Sequence, residues 1–160
     1  MNRAILMLLV MVHLSSMAAA CETDLIDDPG FQLWCGERLC AWELEEGEIR
    51  KVSTWHEHDY GVELVGSPVL LSQGSQGSAS CVRIEVTSKI ESGAMATVEV
   101  DADGDGDVDW IVPVVGSDGF VSRAQELALD VSIDSVFYLR KSGQGEAVVA
   151  RLRVSEECGS

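Results

Sequence analysis

The chain has 160 residues, 27 acidic against 11 basic, with a net charge of −16 and a pI near 4.3. That balance argues against nucleic acid and anionic lipid surfaces as partners, whose phosphates would be repelled, and it favours solubility and cation binding. The length suits a single domain with one core.

At the N-terminus, Met1-Asn2-Arg3 precedes an apolar run from Ala4 to Leu14 and then small residues up to Ala20. This is the three-part layout of an export signal. The run is shorter than the roughly 20 residues a membrane-spanning helix needs, so residues 1–20 are read as cleaved. Ala18-Ala19-Ala20-Cys21 resembles the lipobox of bacterial lipoproteins, and the resemblance implies a mature chain that begins at a lipidated Cys21 and is anchored to a membrane. In that family's sorting pattern, Glu22 after the cysteine permits transfer to the outer membrane or cell surface. Loss of Arg3 takes the mature net charge to about −17. Residues 21–28, rich in acids, read as a tether, and the domain is expected over 29–158.

The five cysteines are Cys21, Cys35, Cys40, Cys81 and Cys158. Setting Cys21 aside leaves four, which in an exported chain form a disulfide framework with three possible connectivities. Local spacing favours Cys35 with Cys40 across Gly36-Glu37-Arg38-Leu39, leaving Cys81 for Cys158. A zinc site is the poorer reading, because no matching Cys or His pair stands at ligand spacing.

From Pro29 onward the sequence predicts short strands separated by turns: 47–54, 62–65, 69–73, 79–87, 94–101, 108–115, 120–129, 135–141 and 147–155. Val82, Ile84 and Val86 alternate with Arg83, Glu85 and Thr87, as Val98 and Val100 alternate with Thr97, Glu99 and Asp101. Ser122 to Leu129 contains good helix formers, but strand is preferred there. The pattern predicts an all-β antiparallel sandwich of jelly-roll type.

Pro29-Gly30-Phe31-Gln32-Leu33-Trp34, then Leu39-Cys40-Ala41-Trp42 and Gly47, resembles the opening of galactose-binding-like carbohydrate-binding modules. The stretch Phe137-Tyr138-Leu139-Arg140, Gly143 to Gly145 and Ala147 to Val154 resembles that family's closing hairpin. The resemblance covers residues 29–155 and implies a non-catalytic module for glycan. Where the family usually has an Asp in the last strand, this chain has Ala150 or Arg151.

The densest chemistry lies in Asp101-Ala102-Asp103-Gly104-Asp105-Gly106-Asp107-Val108-Asp109. Carboxylates at every second position repel one another, and a hard divalent cation with oxygen ligands neutralises them. The spacing matches an EF-hand loop through its ninth position, with Asp101, Asp103 and Asp105 as side-chain ligands, Gly106 at the sharp turn, Asp107 ligating through its carbonyl, and Asp109 directly or through water. Val112 stands where the bidentate Glu belongs and both flanks read as strand, so an EF-hand is rejected. The segment also resembles the strand-loop-strand calcium turn of FG-GAP repeats, here present once. Calcium of extracellular type, with an affinity on the order of 10⁻⁴ M, is the expected cofactor; the alternative is a solvated hairpin turn.

His56 and His58 lie two apart without a third ligand, a weak zinc signal read as a polar loop. Trp55, Tyr60 and Trp110 are the candidate ligand-binding aromatics, with Trp34 and Trp42 assigned to the core. No Gly-x-Ser-x-Gly occurs, and enzymatic activity is not expected. Two roles follow as expectations: an envelope lipoprotein that binds glycan, or one that docks an envelope protein without a glycan ligand.

Overall fold

The computed structural model describes residues 23–54 and 59–157; Cys21, Trp55, His56, His58 and Cys158 lie outside them. The described residues contain no helix, and so none that could cross a membrane. The chain folds as a jelly-roll β-sandwich. Its strands are β1 (Trp34–Cys35), β2 (Arg38–Leu39), β3 (Glu43–Ser53), β4 (Tyr60–Gly74), β5 (Val82–Ile90), β6 (Ala94–Asp101), β7 (Trp110–Val114), β8 (Val121–Leu127), β9 (Val136–Gly143) and β10 (Ala147–Glu156).

All pairings are antiparallel and run in the order β7-β6-β9-β4-β10-β5-β8, with β3 beside β4. The fifteen-residue β4 joins the two layers. Its second half, Val69–Gly74, pairs with β9, and Val62 and Glu63 in its first half pair with β10. β3 follows β4 around this bend, with register shifts between Leu44 and Glu48. Gly47 sits at the inside of the bend with φ 86°, where a Cβ would stand 2.6 Å from the Pro68 carbonyl oxygen, so only glycine fits.

Alternation then sorts the side chains. Val98, Val100, Phe137, Leu139, Val69 and Leu71 of one layer meet Val62, Leu64, Ile84, Val86, Val149, Leu152 and Val154 of the other in a shared core. Arg123 to Leu129, the stretch rich in helix formers, contributes to strand β8, because cross-strand pairing to β5 from Val82 to Ser88 outweighs intrinsic propensity.

Two expectations are corrected. The domain begins earlier than Pro29: Leu25 and Ile26 are buried, Asp24 bridges to Ser155, and Leu25 N donates to Val154 O at 2.7 Å, so most of the expected tether belongs to the fold. The last two strands are not a hairpin either. β9 pairs with β6 and β4, whereas β10 pairs with β4 and β5, and the connection crosses from one layer to the other. Sequence spacing of two strands around a Gly-rich turn cannot distinguish these cases.

The opening motif acts as a plug. Asp28 carboxylate oxygens accept from the Gln32 and Leu33 amides at 2.7 and 2.8 Å, turning the chain so that Phe31 enters the core and packs on Trp42 with ring centroids 5.6 Å apart. The Cys35–Cys40 disulfide closes the β1–β2 finger. Trp42 is buried and Trp34 is half-buried against the core. Cys81 is half-exposed, with no disulfide partner among the described residues.

Candidate functional site

The acidic turn follows β6. Asp101, at the strand end, is 1% exposed, and its two carboxylate oxygens accept from the Gly104 and Gly106 amides at 2.7 and 2.9 Å. Asp109 closes the turn: its carboxylate takes the Ala102 amide at 2.8 Å, and its own amide donates to Val100 O. Gly104 has φ 75°, and a Cβ there would collide with the Asp134 carbonyl.

This backbone brings carboxylate oxygens of Asp101, Asp103 and Asp109 within 4.8 Å of one another. Asp105 and Asp107 are outside that group; Asp105 Oδ1 instead accepts the Asp107 amide at 2.9 Å. Of the four aspartates expected to ligate through their side chains, the fold gathers three, Asp101, Asp103 and Asp109. Three convergent carboxylates are a hard, anionic oxygen donor set of the kind that suits a divalent cation such as calcium.

A second region was not anticipated. On the outer face of the β7-β6-β9-β4 layer, strand register aligns Ile111, Glu99, Tyr138, Ser72 and Glu43 on five successive strands, and beside them Pro113, Thr97, Arg140 and Leu70. Arg140 Nε donates to Glu99 Oε1 at 2.8 Å, Thr97 Oγ1 donates to the same oxygen at 3.1 Å, and Ser72 Oγ donates to Glu45 Oε1 at 2.7 Å. Burial, and then the carboxylates of Asp101 and Glu45, raise the Tyr138 hydroxyl above its ordinary pKa. The hydrogen bond to Glu99 raises Arg140.

Ile111 and Met95 are exposed at the margin of this face. It therefore combines a half-buried aromatic, planar polar groups held in fixed orientation, and apolar edges. The sequence did carry a signal: in β9, Tyr138 is an aromatic residue at a position that alternation assigns to the polar side, opposite Phe137 and Leu139.

The aromatics chosen from sequence are dispersed. Tyr60 lines a cleft of about 400 Å³ on the other layer with Gln32, Asp59, Glu85 and Arg151. The Gln32 side-chain amide brackets the Tyr60 backbone, and Lys51 Nζ lies 3.7 Å from the Tyr60 ring centroid, capping that ring by a cation–π contact. Trp110 is 43% exposed at the start of β7, paired with Val100, next to the acidic turn and off the Tyr138 row. Trp55 lies outside the described residues, as do His56 and His58.

Comparison with known proteins places this architecture. No family profile matches the sequence, and no curated protein matches it. Solved structures do. A CBM61 module solved in complex with beta-1,4-galactotriose superposes with a TM-score of 0.60 at 15% identity, covering 84% of this chain and 99% of that one. The CBM22-1 xylan-binding domain of Paenibacillus barcinonensis Xyn10C gives 0.60 at 13%, covering 89% and 100%. An arabinose-bound GH51 α-L-arabinofuranosidase gives 0.62 at 14%, but the match spans 88% of this chain and only 27% of the enzyme. The chain thus has the β-sandwich fold seen in these carbohydrate-binding modules.

Proposed function

We propose that this protein is a non-catalytic, exported, glycan-binding lipoprotein, anchored through Cys21, whose ligand lies on the Tyr138 face. The supporting observation is the row Ile111, Glu99, Tyr138, Ser72 and Glu43, where an aromatic sits among planar polar groups held by neighbouring strands. Sugars offer an apolar ring face and a rim of hydroxyls, and such a surface meets both. Two structural neighbours that match along their full length bear the names of carbohydrate-binding modules, which supports the same reading.

A glycan array with the mature chain tests it. Tyr138→Ala should weaken any bound glycan at least about 30-fold, the loss typical of a central aromatic anchor. Tyr60→Ala tests the competing cleft on the opposite layer, and Trp55→Ala tests the other aromatic of that sequence segment. Absence of any glycan ligand, with capture of an envelope protein instead, would favour the interaction-lipoprotein reading.

One calcium ion held by Asp101, Asp103 and Asp109 is proposed to stabilise the turn. At a hundredfold excess over its dissociation constant, it should add about 2.7 kcal/mol to stability. Melting in calcium and then in chelator reads this out, and Asp109→Asn should abolish the difference; equal midpoints for the unsubstituted protein would remove the ion. A Cys81–Cys158 disulfide is proposed on the register that sets Val82 opposite Glu156, with the Glu157 amide on the Cys81 carbonyl at 3.0 Å.

A further inference from the structure

From the charges that surround Tyr138, we infer that the glycan bound on this face carries free amino groups, and that Glu45 selects them. This deepens the glycan-binding reading and rests on it. The only cation aligned on the two central rows is Arg140, and Glu99 engages it at 2.8 Å. Across Tyr138, Ser72 holds Glu45 Oε1 at 2.7 Å, which fixes one oxygen of that carboxylate. Glu43 and Glu45 form no ion pair among the described residues, whereas Glu46 lies close enough to Arg140 to raise it.

The spacing supports a direct contact. Tyr138 and Ser72 are paired residues of adjacent strands, about 4.8 Å apart. A pyranose lying over Tyr138 therefore extends a ring substituent over Ser72 toward the tethered Glu45. An ammonium there gains a charge-assisted hydrogen bond and lies near an aromatic face, whereas a uronate or sulfate meets unneutralised carboxylates in a chain of net charge −16. Neutral N-acetylated sugars forgo that charge-assisted contact.

Isothermal titration with three tetrasaccharides tests this in mildly acidic, low-salt buffer: glucosamine, N-acetylglucosamine and galacturonate. The expected order is amine tightest and uronate undetectable. Glu45→Gln should weaken the amine tetramer about 3- to 5-fold while leaving the acetylated one within about twofold. Glu126→Gln, which removes a charge from the opposite layer, controls for the overall field and should change neither. Equal affinity for the amine and acetylated tetramers, or an equal loss of both in Glu45→Gln, overturns the amine preference while leaving glycan binding intact. Amine binding that survives in Tyr138→Ala is non-specific polycation attraction and also overturns it. If no tetramer binds and the glycan array is also blank, the glycan reading itself falls.

Discussion

The two outer faces of the sandwich are built from the same alternation and differ in what their polar residues do. On the β5–β8–β10 layer, charges and hydroxyls are matched directly across strands: Arg83 with Glu126 at 3.1 Å and Thr87 with Ser122 at 2.7 Å, each pair in register. Arg153 meets Asp24 of the N-terminal segment at 2.6 Å. Exposed pairs of this kind add little stability. On the β6–β9–β4 face the polar groups are drawn in around Tyr138, Glu99 is nearly buried, and the carboxylates outnumber the cations. Arg140 pairs with Glu99 here, but the remaining carboxylates have no such partner, and this is the face on which we place the ligand.

That contrast can be broken in three ways. The largest effect should come from Arg140→Ala, which strands the Glu99 carboxylate, only 8% exposed. Because the Arg140 end is 38% exposed, the cost should be about 1–2 kcal/mol, below that of a fully buried pair, and a urea midpoint will show it. Next is the high-pH behaviour. The Tyr138 hydroxyl is raised in the fold, so the native state holds its proton more tightly than the unfolded chain. The stability this represents is complete below the unfolded value near 10 and is lost as pH rises through the folded value. Thermal scans across that range should show a decline that Tyr138→Phe reduces; an identical decline in the variant would place its origin elsewhere. The smallest effect should be Arg83→Ala on the opposite layer, within about 0.5 kcal/mol and without change in glycan binding. A large loss there would mean that the two faces are not distinguished as described.

The acidic turn and the Tyr138 face illustrate two kinds of legibility. Aspartates at alternating positions around Gly104 and Gly106 announce an oxygen-rich turn, because their repulsion and the glycine conformations are local matters. Which of them converge was not local: Asp101 is anchored by β6 pairing and Asp109 by the Ala102 amide, while Asp105 is turned toward the Asp107 amide. Alternation marks Tyr138 alone as an aromatic on the polar side of β9; the row around it could not be assembled because its members lie on five strands far apart in sequence. Tyr60 was chosen for its aromaticity, which one sequence does show; the Lys51 ammonium over its ring, which it does not, changes its role.

The all-β architecture, the Cys35–Cys40 closure, the acidic turn and most strands were determined by the sequence itself, since period-two alternation, turn residues and short cysteine spacing act over a few residues; the short β1 and β2 were not anticipated, and the strands expected at 62–65 and 69–73 are one strand, β4. Only the tertiary structure decided that Leu25 and Ile26 belong to the core, that β9 and β10 occupy different layers, and that Tyr138, Arg140, Glu99 and Ser72 share one face. The reason is register: alternation tells which residues share a face of one strand, whereas the order in which strands pair decides which faces are joined.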